Sequence, residues 1–117
     1  MLPKVARTIR TPAVAAIVED RIGRHGQISP TEKRPYVVWQ VVSGQAYDNL
    51  SAAPGGDFTT VQIDCYHPTD AGVEQLAKAV RDALDAVLIV SRVAINNVDP
   101  DTKLYRIGLE ADFIDQR

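Results

Sequence analysis

Cysteine is almost missing from this chain: Cys65 is the one residue of its kind among 117. No intrachain disulfide can form, so the fold must hold without a covalent staple, as suits a reducing compartment. Histidine is nearly as scarce. His25 and His67 are far apart and, with one cysteine, make a poor donor set for a metal ion. No run approaches the ~20 apolar residues that a membrane-crossing helix needs. The opening MLPKVARTIR lacks the continuous apolar stretch of a secretory signal. Excess positive charge is also missing. A net charge of −2 gives no bulk attraction to nucleic acid or anionic lipid. There is no internal repeat and no low-complexity tract.

What is present suits a single domain over residues 1–117. Hydrophobic residues make up 45% of the chain, which argues against disorder. A chain of this length buries about two-thirds of its unfolded surface, enough for one modest core.

The pattern along the chain is that of a small α+β protein. Leu2, Val5, Ala6 and Ile9 recur at helical spacing. Pro12 should end that first helix. Thr11 and Pro12 then read as the cap and first residue of a second helix, with Val14, Ile17 and Val18 on its apolar side. Gly23, after Ile22, is its expected stop. Residues 24–35 are polar and read as a loop.

Residues 36–43 form a strand that is apolar on both faces. Val37, Trp39 and Val41 point one way; Tyr36, Val38 and Val42 point the other. Such a strand needs cover on both sides, from its own helices or from a neighbouring subunit. Residues 44–57 read as a long loop, and long loops in small domains often carry function. The run at 58–67 alternates, with Val61, Ile63 and Cys65 opposite Thr60, Gln62 and Asp64. A helix follows over 69–85, capped by Thr69 or Asp70, with Leu76, Val80 and Leu84 as its core stripe. Residues 87–95 read as a strand and 96–103 as a turn. The last strand sets Tyr105, Ile107, Leu109, Ala111 and Phe113 against Arg106, Glu110 and Asp112. The simplest assembly is a mostly antiparallel four-stranded sheet with helices packed mainly on one face.

No catalytic constellation stands out, and no cofactor is implied. Cys65 and His67 share a strand face, so a thiolate–imidazole pair is conceivable. Cys65, however, continues the apolar row of Val61 and Ile63, which makes it a packed, inert thiol. Asp99, Asp101 and Glu110 lack the ligand pattern of a calcium loop, and turn formation explains the first two. Pro54-Gly55-Gly56 lacks the lysine of a phosphate-binding loop. Lys4, Arg7 and Arg10 share one side of the first helix, as a solvated face or as a contact for an acidic partner or for DNA phosphates. Tyr36 and Trp39 are core residues by default, with interface anchoring as the functional alternative.

The ordered set of segments resembles the siphophage tail completion family, the tail terminator or tail-to-head joining proteins. The resemblance is carried by Asp20-Arg21-Ile22, by Pro35–Gln40 leading to Ser43-Gly44, by Val61–Tyr66, by the helix Leu76–Leu84 and by Leu104-Tyr105-Arg106. It spans almost the whole chain. Gly72 departs from it, since family members often carry glutamate at that helix position, and Asp112–Asp115 match only loosely.

The resemblance implies a non-enzymatic virion protein at the head-proximal end of the tail, assembled in the host cytoplasm. It implies a ring of copies, usually six, seated on the last ring of the tail tube. Such a ring ends tube growth and joins the tail to a head-completion protein, and DNA passes through its lumen without specific binding. Interface candidates are then Tyr36 and Val38 on the doubly apolar strand, and Tyr47, Asp48, Leu50, Asp57 and Phe58 in and beside the long loop. Asp48 and Asp57 would place acidic charge near the channel and weaken DNA sticking. Competing readings are a head-completion (stopper) protein of the neck, a small ligand-binding α+β module, and a cysteine enzyme using Cys65 and His67.

Overall fold

The structure, a computed structural model, describes residues 3–46 and 56–116; for 43–46, 56–58 and 114–116 it describes the backbone alone. Two short helices open the chain, α1 (Val5–Ile9) and α2 (Pro12–Val18). Thr11 caps α2 through its hydroxyl, which accepts the Val14 N–H at 3.4 Å, and Pro12 follows at the first helical position.

The helix stops earlier than Gly23. Glu19 adopts a left-handed backbone, φ 56°, and turns the chain out after Val18. Ile22–Arg24 then forms a strand, β1, parallel to β2 (Tyr36–Ala46). Buried Arg21 locks this return, its Nε donating to the Pro35 carbonyl at 2.8 Å. Three residues are too few to show an alternating pattern, so this strand has no signature in the sequence.

The sheet therefore has five strands, not four, and is mixed. Its order is β1-β2-β3-β5-β4, with β3 Gly56–His67, β4 Ser91–Val98 and β5 Tyr105–Gln116. Every pairing except β1–β2 is antiparallel. Register runs straight across the centre: Trp39 lies beside Ile63, Ile63 beside Leu109, and Leu109 beside Val93. Irregularities interrupt the ladder between Val41 and Ser43 and between Val93 and Ile95.

The helix α3 (Asp70–Ala86) crosses one face of the sheet, and α1 and α2 pack beside it. Val73, Leu76, Ala77, Val80 and Leu84 meet Val37, Trp39, Val61, Ile63, Cys65, Ile107, Leu109, Ala111 and Phe113 in the main core. Val5, Ile9, Val14 and Val18 close its margin. The helices thus lie on one face, as the alternation implies.

The chain reaches β4 later than residue 87. Residues 87–89 finish α3 instead: the Ile89 N–H donates to the Leu84 carbonyl at 2.9 Å and the Leu88 N–H to Asp85 at 3.0 Å. This double closure is the usual helix C-terminal lock, and it puts Leu88 at φ 63°, where glycine is favoured. The strand then takes up Asn96–Val98, and the turn contracts to 99–104. Asp99 holds it, its Oδ1 accepting the N–H groups of Asp101 (2.8 Å) and Thr102 (3.3 Å).

Candidate assembly surfaces

The face of the sheet away from α3 carries its own small cluster. Tyr36, Val38, Tyr66 and Leu104 are buried there, with Ile28 of the 25–35 loop packed against them. The Tyr36 and Tyr66 rings stack with centroids 4.7 Å apart, and the Arg106 guanidinium lies 5.8 Å from the Tyr66 centroid. Burial raises both phenols, Tyr66 to about 12. The chain's own residues therefore cover the second apolar face of β2 at this end.

Beside the cluster runs a row of polar side chains linked across strands. Asp64, only 2% exposed, accepts from Arg106 Nη2 at 3.0 Å and from Gln62 Nε2 at 3.0 and 3.2 Å. Gly108 leaves room for that carboxylate; a Cβ there would sit 2.7 Å from Asp64 Oδ1. Farther along, the Thr60 hydroxyl donates to Asp112 at 3.0 Å, and Arg92 pairs with Glu110 at 2.8 Å. Among the described residues these charges pair with one another across the sheet, with Arg106 Nε left without a partner.

Cys65 is fully buried in the main core, and burial pushes its thiol far above the ordinary range. His67 serves another purpose. Its Nδ1 accepts the Thr69 N–H at 3.0 Å, and Thr69 in turn caps α3, its hydroxyl accepting the Gly72 N–H at 3.0 Å. Burial holds the His67 imidazole below its usual pKa. The two residues are thus a core thiol and a helix-start brace. Glu110 pairs with Arg92 instead of joining Asp99 and Asp101. Among the described residues, no group of three His, Cys, Asp or Glu side chains is placed to hold a metal ion.

Of the interface candidates, Tyr36 and Val38 lie buried in the second cluster. The Asp57 and Phe58 backbones pair with Ala46 and Gln45 on one side and with Asp115 and Ile114 on the other. Tyr47, Asp48 and Leu50 lie outside the described residues. β2 and β3, which this segment joins, and β5 beside them run on past the start of β4.

Periodicity does not point to the two lateral edges of the sheet. The apolar side chains that the fold leaves uncovered gather there. At the β4 edge, Val87, Val90, Val93 and Val98 are about half exposed or more, and Leu88 is 91% exposed. At the other edge β1 stops at Arg24, leaving Val41 39% and Val42 45% exposed. The signal in the sequence was a surplus of valine and leucine over what the core stripes use.

A search of curated proteins finds no match. Among solved structures, this chain is similar to one in the virion of a native gene transfer agent particle. The two share 19% identity over 95% of this chain and 92% of the other, with a TM-score of 0.64, which is a likeness of fold. The family described as tail completion protein gp17 matches residues 5–114, through all three helices and into the last strand. The chain belongs to that family, a structural tail completion component of a phage virion and not an enzyme.

Proposed function

We propose that this protein caps the tail tube as a ring of copies, ends tube polymerisation and presents the surface to which the head joins. The observation that carries this reading is the family match over nearly the whole chain. The fold supports it. A cyclic ring needs two different patches per subunit, and this sheet has two different open edges, one at β4 and one where β1 ends. The polar row from Arg92 to Asp64 offers a hydrophilic, largely self-paired surface beside which DNA would pass without specific binding. The β2–β3 connection, with Tyr47, Asp48, Leu50, Asp57 and Phe58, is the segment assigned to the tube or the lumen. Its flanking strands already project beyond β4.

The test is deletion of the gene followed by negative-stain electron microscopy of the lysate. Overlong tails of variable length beside filled, unjoined heads are the expected result. Tails of uniform length with emptied heads would move the protein to the head side of the neck. Unchanged particles would overturn both placements. Deleting residues 47–56 should abolish capping while leaving the subunit folded; normal joined particles would sink the assignment of that segment.

A further inference from the structure

We infer that one subunit docks its Val87–Val93 edge into the notch where β1 ends on the next subunit, with Arg24 of the second facing the acidic groove beside Val93 of the first. The inference rests on the ring reading above and names the two surfaces that such a ring joins.

Both patches lie at one level of the sheet. The Ser91 row continues through Ala111 and Val61 to Val41, and Val90, whose carbonyl accepts the Asp112 N–H at 3.4 Å, is level with Thr60 and Ser43. A rotation about an axis along the strands carries one patch onto the other at the same height, as ring closure requires. The directions also agree. Three antiparallel steps separate β2 from β4, so β4 of one subunit runs antiparallel to β2 of the next. Among the described residues, the outer edge of β2 from Gln40 onward has no strand beside it.

The charges match as well. Arg24 pairs in register with Trp39, whose row ends across the sheet at Val93. Beside Val93, between β4 and α3, a cleft of about 330 Å³ is lined by Glu74, Asp82 and Asp85 against Lys78 and Arg81. Lys78 is already paired with Asp82, and Arg81 donates to Ser91. An exposed arginine thus meets a groove with a carboxylate to spare. Leu88 supplies the knob. It stands almost wholly in solvent on a backbone that favours glycine, so the subunit alone gains nothing from a leucine there.

Val42→Cys and Val90→Cys variants, treated with a short bismaleimide, test the contact in solution and on purified tail tubes that lack this protein. The double variant should give a covalent ladder ending at the ring. A mixture of the two single variants should give dimers and nothing larger. Leu88→Gly should melt no lower than the parent yet need at least ten times the concentration to form rings. Arg24→Glu should weaken rings, and Asp85→Arg should restore them in that background. Rings seen by microscopy without cross-links, or Leu88→Gly rings as strong as the parent's, would overturn this interface and leave the ring standing. Absence of rings both in solution and on tubes would overturn the two together.

Discussion

The imidazole of His67 occupies the space where a side chain on Gly72 would begin. Two residues that look unrelated in sequence, the last of a strand and one in the first turn of a helix, are a single packed joint. Glycine at position 72 thus has a local cause, since the His67 ring fills the space a side chain would need. Glutamate at that position normally reaches back to close the helix start, and here His67 and Thr69 do so.

Gly72→Ala tests the joint by its sign. In an open helix turn the change would stabilise by up to about 1 kcal/mol. Here the new methyl meets the His67 ring, and a loss of about 2 kcal/mol is expected. His67→Ala should remove the obstacle, so the double variant should recover more than 1 kcal/mol of the summed losses. Urea unfolding of the four proteins measures this. A neutral or stabilising Gly72→Ala, additive with His67→Ala, would mean that the ring yields freely.

The same joint makes stability depend on pH. Burial lowers the His67 pKa in the folded state, and its Nδ1 must keep a lone pair to accept the Thr69 N–H. The unfolded chain's histidine, with a pKa of about 6.5, takes up protons first as pH falls. The unfolded state then binds more protons, and stability drops. The contribution from His67 is complete above about pH 7 and fades as pH falls from about 6.5 through the lowered folded value. Unfolding midpoints at pH 7.5 and 5.5 should differ in the parent, and by less in His67→Ala. An equal difference in both would assign the pH dependence elsewhere.

Asp64 and Arg106 form the most buried ion pair among the described residues. Removing one partner should cost more than removing both. Arg106→Leu leaves the Asp64 carboxylate with Gln62 alone, and a loss of about 3 kcal/mol is expected. Adding Asp64→Leu should return part of that loss, although Gly108 was shaped to the carboxylate. A single Arg106→Leu loss under about 0.5 kcal/mol would show that water reaches the carboxylate freely.

The main core was legible because its signals are periodic. Val61, Ile63 and Cys65, the Leu76–Val80–Leu84 stripe and the odd residues of the last strand all face one core as alternation implies. β1 was not legible, since three residues carry no period and its partner is distant in sequence. The β4 boundary shifted because a leucine stands where a helix-ending glycine would announce itself. The uncovered sheet edges were hidden for a related reason. The strand carrying Tyr36 and Val38 is apolar on both faces, and within the subunit Tyr66, Leu104 and Ile28 pack over its second face. The exposed valines of the sheet edges belong to the same apolar vocabulary as the core, and topology alone separates the two.

Cys65 separates a structural thiol from a working one. Its side chain is fully buried, and burial raises its pKa well above that of a free thiol, so the reactive thiolate is scarce at neutral pH. A thiol-specific reagent such as DTNB at pH 8 should label the native protein only as fast as the core opens, and at once in denaturant. Cys65→Ala should keep the fold and tail assembly at a cost of about 1 kcal/mol, whereas Cys65→Ser buries a hydroxyl without an assured partner and should cost about 2 kcal/mol. The ordering matters more than the values. A nucleophile would react fast in the native state, and its loss to alanine would abolish function without touching stability. A packed thiol reacts slowly, and its replacements rank by how well they tolerate an apolar site.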